Sequence, residues 1–276
     1  MAELDWFVQD ACFRENICCY AVIEFCHCRV INPRLLAKVP FEPRTAIIFL
    51  FPYLASDPKN ISRYASGGDY HYYASEFFRM NMPVLRLHSG GHQFVGFCDH
   101  SPIDERHAAA TAGLGMIGDN GMLIHPQYGS FVFVAEWLTD TPPECFTTVE
   151  PQPIKGCDHC GACARACPAA NLPEFSRRKC ISAITQKKGE LTEQEIELLK
   201  KGGSVWGCDI CQNVCPYNVQ LLQERKGTPI RFFGRHQIHC MTTDELSRMS
   251  DEEFSLRAYS YRKREVLERN LKLLGY

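Results

Sequence analysis

Residues 157–168 read CDHCGACARACP, four cysteines at the spacing C-x2-C-x2-C-x3-C with a proline directly after the last. A second run, Cys208–Pro216, reads CDICQNVCP and repeats the C-x2-C-x3-C-P half of that pattern. The chain has 16 cysteines in 276 residues, about three times what ordinary composition leads one to expect. The two runs therefore decide the architecture of the C-terminal half.

Cysteine runs with this spacing hold paired 4Fe–4S clusters in bacterial ferredoxins, where three thiolates bind one cluster and the fourth binds the other. Two clusters need eight thiolates and the runs supply seven, so Cys180, in the sequence RRKCIS, is the natural eighth. We predict that one cluster is held by Cys157, Cys160, Cys163 and Cys215. The ligands predicted for the other are Cys167, Cys180, Cys208 and Cys211.

The alternatives for these cysteines are a zinc site or buried thiols. Zinc prefers closed sets of four ligands and has no need of interleaved Cys-Pro pairs, so the spacing favours clusters. The remaining cysteines show no C-x2-C pair and are interpreted as small core side chains, with a third metal site near the N-terminus as the alternative. They are Cys12, Cys18, Cys19, Cys26, Cys28, Cys98, Cys145 and Cys240.

Composition limits the classes of partner. The net charge of −2 and the pI near 6.5 give no overall basic surface, so any contact with nucleic acid must be local. The N-terminus shows no secretory signal, and the longest apolar run, Ala46–Leu54, is too short to cross a bilayer. We expect a soluble cytoplasmic protein without a membrane partner, whose cysteines serve metal or redox chemistry.

The first half alternates strand and helix patterns, which predicts an α/β or α+β domain ending near Asp140; with the cysteine module and the helical tail, the whole chain is predicted to be α+β. The predicted elements are a strand at Arg44–Pro52, a helix at Tyr70–Asn81 that ends before Pro83, and a strand at Val84–Leu87. A further helix is predicted at Asp104–Thr111, stopped by Gly113 and Gly115, and a hairpin of Met122–His125 and Ser130–Leu138 around PQYG. A search for nucleotide-binding motifs finds neither G-x-G-x-x-G after a strand nor a P-loop.

Three domains are predicted: residues 1–145, a double-cluster module at 146–225 after a proline-rich linker, and a helical tail at 226–276. Capping boxes at Thr192 with Glu195 and at Ser250 with Glu253 open helices in the last two. The final helix is predicted at Arg262–Leu274, with Gly275 ending it.

Several motifs, in order along the chain, resemble the epoxyqueuosine reductases. They are Ile61–His71 (ISRYASGGDYH), Phe97–Arg106 (FCDHSPIDER), Ala112–Asn120 (AGLGMIGDN), Tyr128–Asp140 (YGSFVFVAEWLTD), RRKCIS and WGCDICQNVCPYN. The layout is more distantly similar to corrinoid-dependent reductive dehalogenases. The resemblance implies a nitroreductase-like N-terminal domain with base-off cobalamin bound between it and the cluster module.

The resemblance also implies an activity: removal of the epoxide oxygen from epoxyqueuosine at the wobble position of tRNA. Electrons from a donor such as a flavodoxin or ferredoxin system would pass through the clusters to give cob(I)alamin, which attacks an epoxide carbon. The alternatives are a cobalamin- and cluster-dependent reductase of another small substrate, and an electron-transfer or corrinoid-reducing protein without a substrate of its own.

Asp99 matches the acidic residue that serves this family as general acid; its alternative is an ordinary turn cap. Residues matching a second motif near substrate or cofactor are Arg63, Tyr64, Asp69, Tyr70 and His71, for which a polar turn opening a helix is the alternative. By motif position, the further cobalamin contacts are Leu123, Val134 and Ser182, where core packing is the alternative for the two apolar residues.

The sequence departs from the family pattern in two respects. Met116 and Asp119 stand where the family usually has Trp and Lys. The chain also stops at Tyr276, where many members continue into a helical-repeat domain, so we expect a short form. Its tail carries a group of basic residues expected either to meet phosphates or to be solvated on a helix: Arg257, Arg262, Lys263, Arg264, Arg269 and Lys272.

Overall fold

The computed structural model describes residues 2–172 and 174–276. Its helices α1 to α13 span Asp5–Arg14, Pro33–Leu36, Arg63–Ser66, Tyr70–His88, Glu105–Thr111, Ala162–Ala166, Ile181–Thr185, Glu193–Gly202, Ile210–Asn213, Pro216–Glu224, Thr243–Arg248, Asp251–Ser255 and Arg264–Leu274. Its strands β1 to β6 span Cys19–Glu24, Thr45–Pro52, Phe94–Cys98, Met116–Ile117, Leu123–Ile124 and Val132–Thr139. The predicted mixture of helices and strands is confirmed.

The chain divides into two compact units. Unit 1 comprises Met1–Pro52, His71–Gly118 and Met122–Cys157. Unit 2 comprises Tyr53–Tyr70, Asp119–Gly121 and Asp158–Tyr276. The segment Tyr53–Tyr70 therefore packs with the cysteine runs, although most of the chain around it in sequence belongs to unit 1.

Unit 1 is built on an antiparallel sheet with the strand order β1-β2-β6-β3. Every residue of β2 is buried, because this inner strand is covered on both faces, and this explains its continuous apolar sequence TAIIFLFP. Phe49 on β2 packs edge-on against Trp137 on β6, with ring centroids 4.5 Å apart. A second, two-stranded sheet pairs β4 with β5.

The region around Pro83 differs from the prediction. Helix α4 continues through Pro83 to His88, so the predicted end of the helix and the predicted strand at Val84–Leu87 are wrong. Phe77, Asn81 and Leu85 lie on one helical face and are all buried, and the Asn81 amide donates to the Phe77 carbonyl at 2.7 Å. Burial of this face compensates for the backbone hydrogen bond that proline removes.

Helix α5 and the PQYG turn follow the prediction more closely. Asp104 caps α5 by accepting from the His107 N–H at 3.2 Å, and Gly113 takes the left-handed conformation just past its end. His125 and Gly129 exchange both backbone hydrogen bonds across the turn. The predicted hairpin is wrong in one respect, because β5 pairs with β4 whereas β6 pairs with β2 and β3.

Unit 2 is mainly helical. Both capping boxes are confirmed, at Thr192 with Glu195 and at Ser250 with Glu253. The last helix begins at Arg264, two residues later than predicted, and ends at Gly275 in the left-handed conformation. Among the described residues, none of the helices is both long enough and apolar enough to cross a membrane.

Candidate functional site

The cysteines are free thiols throughout the described residues, which agrees with a metal or redox role rather than a disulfide framework. Cys157 is the last residue of unit 1, and the other predicted cluster ligands belong to unit 2. Near the N-terminus, Cys12 and Cys19 are buried as predicted. Cys18 and Cys26 are exposed, so the core interpretation is wrong for these two.

The structure brings the second predicted ligand set together. The thiol of Cys208 interacts electrostatically with Cys180 and Cys167, and that of Cys211 interacts with Cys208 and Cys180. Burial raises the pKa of Cys208 to about 11 and that of Cys211 to about 12. Four converging, half-buried thiols are a donor set that a cationic iron cluster would stabilise as thiolates, so these residues fit the predicted group.

The first cysteine run folds as a tight loop. His159 and Gly161 adopt left-handed conformations with φ of 51° and 71°, and α6 follows at once. The Tyr217 hydroxyl donates to the Asp158 carboxylate at 2.7 Å, which ties this run to the end of the second run. Asp119 stands where the family usually has Lys, and its Oδ1 lies 2.7 Å from His159 Nδ1. This contact also holds the loop of the first cysteine run.

The segment that carries Arg63 pairs with the segment leading into the second cysteine run. Ile61 bridges to Trp206, and the Ser62 N–H donates to the Trp206 carbonyl at 2.8 Å. Arg63 is buried, with its guanidinium against Asp209, Asn213 and Asp57. The structure therefore places Arg63, a predicted cofactor contact, beside Asp209, which follows Cys208 directly in the sequence.

Two other unit 2 residues of the predicted site, Tyr64 and Ser182, meet at Gln186, which the sequence did not indicate. Its amide Nε2 lies 3.2 Å from the Tyr64 hydroxyl and 3.3 Å from the Ser182 hydroxyl. The Tyr64 and Tyr70 rings pack edge-on at 6.3 Å. Asp69 is held differently, since its backbone N–H donates to the Leu256 carbonyl at 2.8 Å.

In unit 1, Asp99 lies directly after β3 in a left-handed conformation with φ of 67°. Its backbone N–H donates to Glu105 Oε1 at 2.8 Å, and its carboxyl group is 68% exposed. His71 Nε2 lies 3.7 Å from Asp99 Oδ2. A non-glycine residue held with positive φ is uncommon and costs free energy, which is typical of a functional position.

Glu105 and Glu136, neither singled out from the sequence, form a carboxyl pair behind Asp99. Burial, with the charge of Asp99, raises the pKa of Glu105 to about 7. Burial and the proximity of Glu105 raise the pKa of Glu136 well above its ordinary value, although Ser101 donates its hydroxyl to Glu136 Oε1. Like charges buried side by side cannot both ionise cheaply, so the pair retains a proton near neutral pH.

The two apolar residues predicted to contact cobalamin differ in environment. Leu123 is 3% exposed and belongs to the core, whereas Val134 is half-buried. Other half-buried apolar side chains pack on the same core and leave apolar area at the surface: Phe97, Leu114, Ile117 and Tyr128. A surface of this kind fits a large ligand with an apolar face.

The tail arginines are largely engaged within unit 2. Arg257 donates to the carbonyls of Ser66, Gly67 and His236. Arg264 and Arg269 likewise bind backbone carbonyls. These three side chains stabilise loops and helix ends, so several of their N–H donors are already used within unit 2.

Comparison with known proteins agrees with the predicted double-cluster segment and with the resemblance inferred from the motifs. A family profile described as a 4Fe-4S double cluster binding domain matches residues 156–218 and confirms the predicted double-cluster segment. The epoxyqueuosine reductase of Escherichia coli (strain K12) is 34% identical over 200 residues, which cover 70% of this chain and 50% of that protein. The chain thus spans about half the length of this curated relative.

Solved structures share the fold. A crystal structure of selenomethionine-labeled epoxyqueuosine reductase matches with a TM-score of 0.77 and 22% identity, covering 98% of this chain and 80% of that one. A crystal structure of epoxyqueuosine reductase with a tRNA-Tyr epoxyqueuosine-modified tRNA stem loop matches with a TM-score of 0.73 and 21% identity, with the same coverage. The resemblance inferred from the motifs is confirmed.

Proposed function

We propose that this relative of the epoxyqueuosine reductases reduces epoxyqueuosine to queuosine in tRNA, using two 4Fe–4S clusters and cobalamin. The observation that carries the proposal is sequence similarity to a curated epoxyqueuosine reductase over 70% of the chain. It is supported by a converging set of thiols in unit 2 and a carboxyl group in a constrained loop of unit 1.

Both units contain residues that would hold the cofactors. The eight predicted cysteines would hold the clusters, and Asp99, Val134 and the half-buried apolar residues around Val134 would contact cobalamin from unit 1. Leu123, His71, Arg63, Tyr70 and Ser182 complete the predicted cofactor contacts. When bound, cobalamin would supply a cobalt nucleophile and the clusters its electrons.

Asp99 would act as the general acid that protonates the epoxide oxygen as the first C–O bond breaks. The oxygen would leave as water after the second C–O bond breaks, so the whole reaction takes up two electrons, supplied by the clusters, and two protons. The Asp99 carboxyl group is exposed, so it can reach a ligand, and its backbone is held by the hydrogen bond to Glu105. A ligand that covers this carboxyl group would remove it from water, which favours the protonated form that a general acid needs. His71, at 3.7 Å, would orient the carboxyl group or return a proton to it.

The tRNA part of the proposal rests on the relatives. The matched structure with a modified tRNA stem loop covers nearly all of this chain. An anionic substrate needs cationic contacts, and the basic residues of the tail that are candidates for them include Arg262, Lys263 and Lys272.

The proposal is tested by conversion of epoxyqueuosine-containing tRNA. The chain would be purified anaerobically, mixed with cobalamin and a chemical reductant, and the tRNA nucleosides separated by mass. Queuosine should appear, and it should also accumulate in a bacterial strain that lacks its own reductase and carries this gene. Persistent epoxyqueuosine in both assays, with clusters loaded and cobalamin bound, would rule the function out.

A second candidate keeps the cofactors and changes the substrate to a free nucleoside or another small epoxide. The engagement of Arg257, Arg264 and Arg269 with backbone carbonyls favours it, because these bonds occupy N–H donors that would otherwise be available to tRNA phosphates. Turnover of free epoxyqueuosine nucleoside at the rate seen with tRNA would support this candidate.

A further inference from the structure

The second cysteine run contains an acidic residue in an unexpected place. Asp209 lies between the predicted ligands Cys208 and Cys211, and its side chain is 8% exposed. A buried carboxylate beside a cluster whose thiolates are already anionic is unfavourable unless it is paired. The hydrogen-bond and ion-pair partners of Asp209 therefore determine how this turn would affect the cluster.

The Asp209 carboxylate is satisfied by donors from a distant part of the sequence. The Arg63 backbone N–H donates to Oδ2 at 2.8 Å, and Arg63 Nη1 donates to the same oxygen at 3.3 Å. On Oδ1 it accepts from the Ser62 hydroxyl and, at 3.3 Å, from Gln212 Nε2. The Arg63 side chain is only 6% exposed, so this is a buried ion pair.

The two backbone segments around the Arg63–Asp209 ion pair are closely packed, so they have little conformational freedom. Gly207 takes φ of 73°, and a Cβ there would lie 2.4 Å from Ser62 Cβ, so the two segments are in close contact. Arg63 Nη1 also donates to Asn213 Oδ1 at 2.5 Å, beyond Cys211, while Nη2 pairs with the exposed Asp57. One guanidinium thus contacts residues on both sides of Cys211.

We propose that Arg63 is a positioning residue for the second cluster: through Asp209 and Asn213 it fixes the Cys208–Cys211 turn and offsets the negative charge of Asp209 beside the cluster. This inference rests on the cluster assignment within the proposed function, but it requires neither cobalamin nor tRNA. It assigns Arg63 a task in the electron-transfer module, in addition to the cofactor contact that the resemblance implies.

The charge part of the proposal predicts shifts of opposite sign. Arg63→Met leaves the Asp209 anion without its partner, so the cluster takes up an electron less readily. We expect the ratio of reduced to oxidised second cluster at a fixed solution potential to fall at least tenfold, which corresponds to about 59 mV for a one-electron couple. Asp209→Asn removes the anion and should raise that ratio, and the double variant should return it towards wild type.

The experiment is a potentiometric titration of the anaerobically purified full chain, followed by electron paramagnetic resonance. Iron and acid-labile sulfide are counted on the same samples. The second cluster is identified as the one whose signal changes in Cys180→Ser. Arg248→Met is the matched control, because Arg248 is 78% exposed and pairs only loosely with Asp244, at 3.7 Å.

Opposite shifts confined to the second cluster, with the control unchanged, would support the proposal. Loss of that cluster alone in Arg63→Met, with the Asp209→Asn shift upward, would support it as well. Shifts of the same sign in both single variants, equal shifts in both clusters, or unchanged potentials would overturn it. A chain that loads both clusters but leaves epoxyqueuosine unchanged would refute the proposed function and leave these outcomes intact.

Discussion

Two of the three Cys-Asp dipeptides, Cys98-Asp99 and Cys208-Asp209, have opposite environments. The Asp99 carboxyl group is 68% exposed and its backbone is left-handed, whereas the Asp209 side chain is 8% exposed and accepts hydrogen bonds from Ser62, Arg63 and Gln212. On the proposed function, the same residue type would serve chemistry in one place, and it holds the backbone in the other. The difference arises from neighbours distant in sequence rather than from the dipeptide itself.

The largest expected effect is on turnover, from Asp99→Asn. Asparagine tolerates the left-handed conformation and keeps the shape of the side chain, but it cannot donate the proton. We expect epoxyqueuosine reduction to fall by about 10²- to 10⁴-fold, with iron content and cobalamin binding unchanged. A rate within threefold of wild type would show that Asp99 is not the acid.

The next effect is on stability, from Asp209→Ala. This change leaves the Arg63 guanidinium buried beside a cavity, and breaking a buried pair in this way costs about 3–5 kcal/mol of unfolding free energy. Chemical denaturation of the anaerobic protein would measure it. Asp99→Asn is the matched control and should change stability by less than about 0.5 kcal/mol. Equal stabilities would contradict the contrast between the two aspartates.

A smaller effect concerns pH and the carboxyl pair behind Asp99. The folded-state pKa of Glu105 is raised from 4.5 to about 7, so the stability that it contributes is complete below pH 4.5 and is lost as the pH rises through about 7. The shift corresponds to on the order of 3 kcal/mol, shared with Glu136. The charged groups that act on Glu105 are Asp99, Glu136 and Arg106.

Glu105→Gln tests this effect, because glutamine keeps an oxygen that accepts the Asp99 N–H but does not titrate. Unfolding free energies measured from pH 5 to pH 8 should fall for the wild-type chain and be much flatter for the variant. Identical slopes would show that the pair does not hold its proton.

The smallest effect tests a feature outside both sites. Thr192 caps α8 and forms a capping box with Glu195. Thr192→Ala should cost about 1 kcal/mol, with cluster content and potentials unchanged. Thermal unfolding would measure the loss, and a changed cluster spectrum would mean that α8 influences the cluster module more than its contacts indicate.

The sequence predicted the features that depend on local patterns. Neighbouring residues were enough to predict the capping boxes at Thr192 and Ser250, the buried strand β2 and the end of α5 before Gly113. The end of α4 was not, because packing of Phe77, Asn81 and Leu85 outweighs the local preference of Pro83.

The candidate site was also predictable only in part, because long-range contacts determine the environment of several of its residues. Asp99 and the cysteines carry motif signals, whereas Glu105, Glu136, Gln186 and Asp209 acquire their environments from long-range contacts. The acidic residue inside CDIC was the one available signal for Asp209, since a carboxylate between cluster ligands requires a partner.

Two iron–sulfur clusters held by eight thiolates are the central element of the proposed function. The decisive measurement is the iron, acid-labile sulfide and zinc content of the anaerobically purified chain. We predict eight iron and eight sulfide per chain for two 4Fe–4S clusters. Zinc in place of iron, or iron that stays at four or fewer after reconstitution, would contradict it.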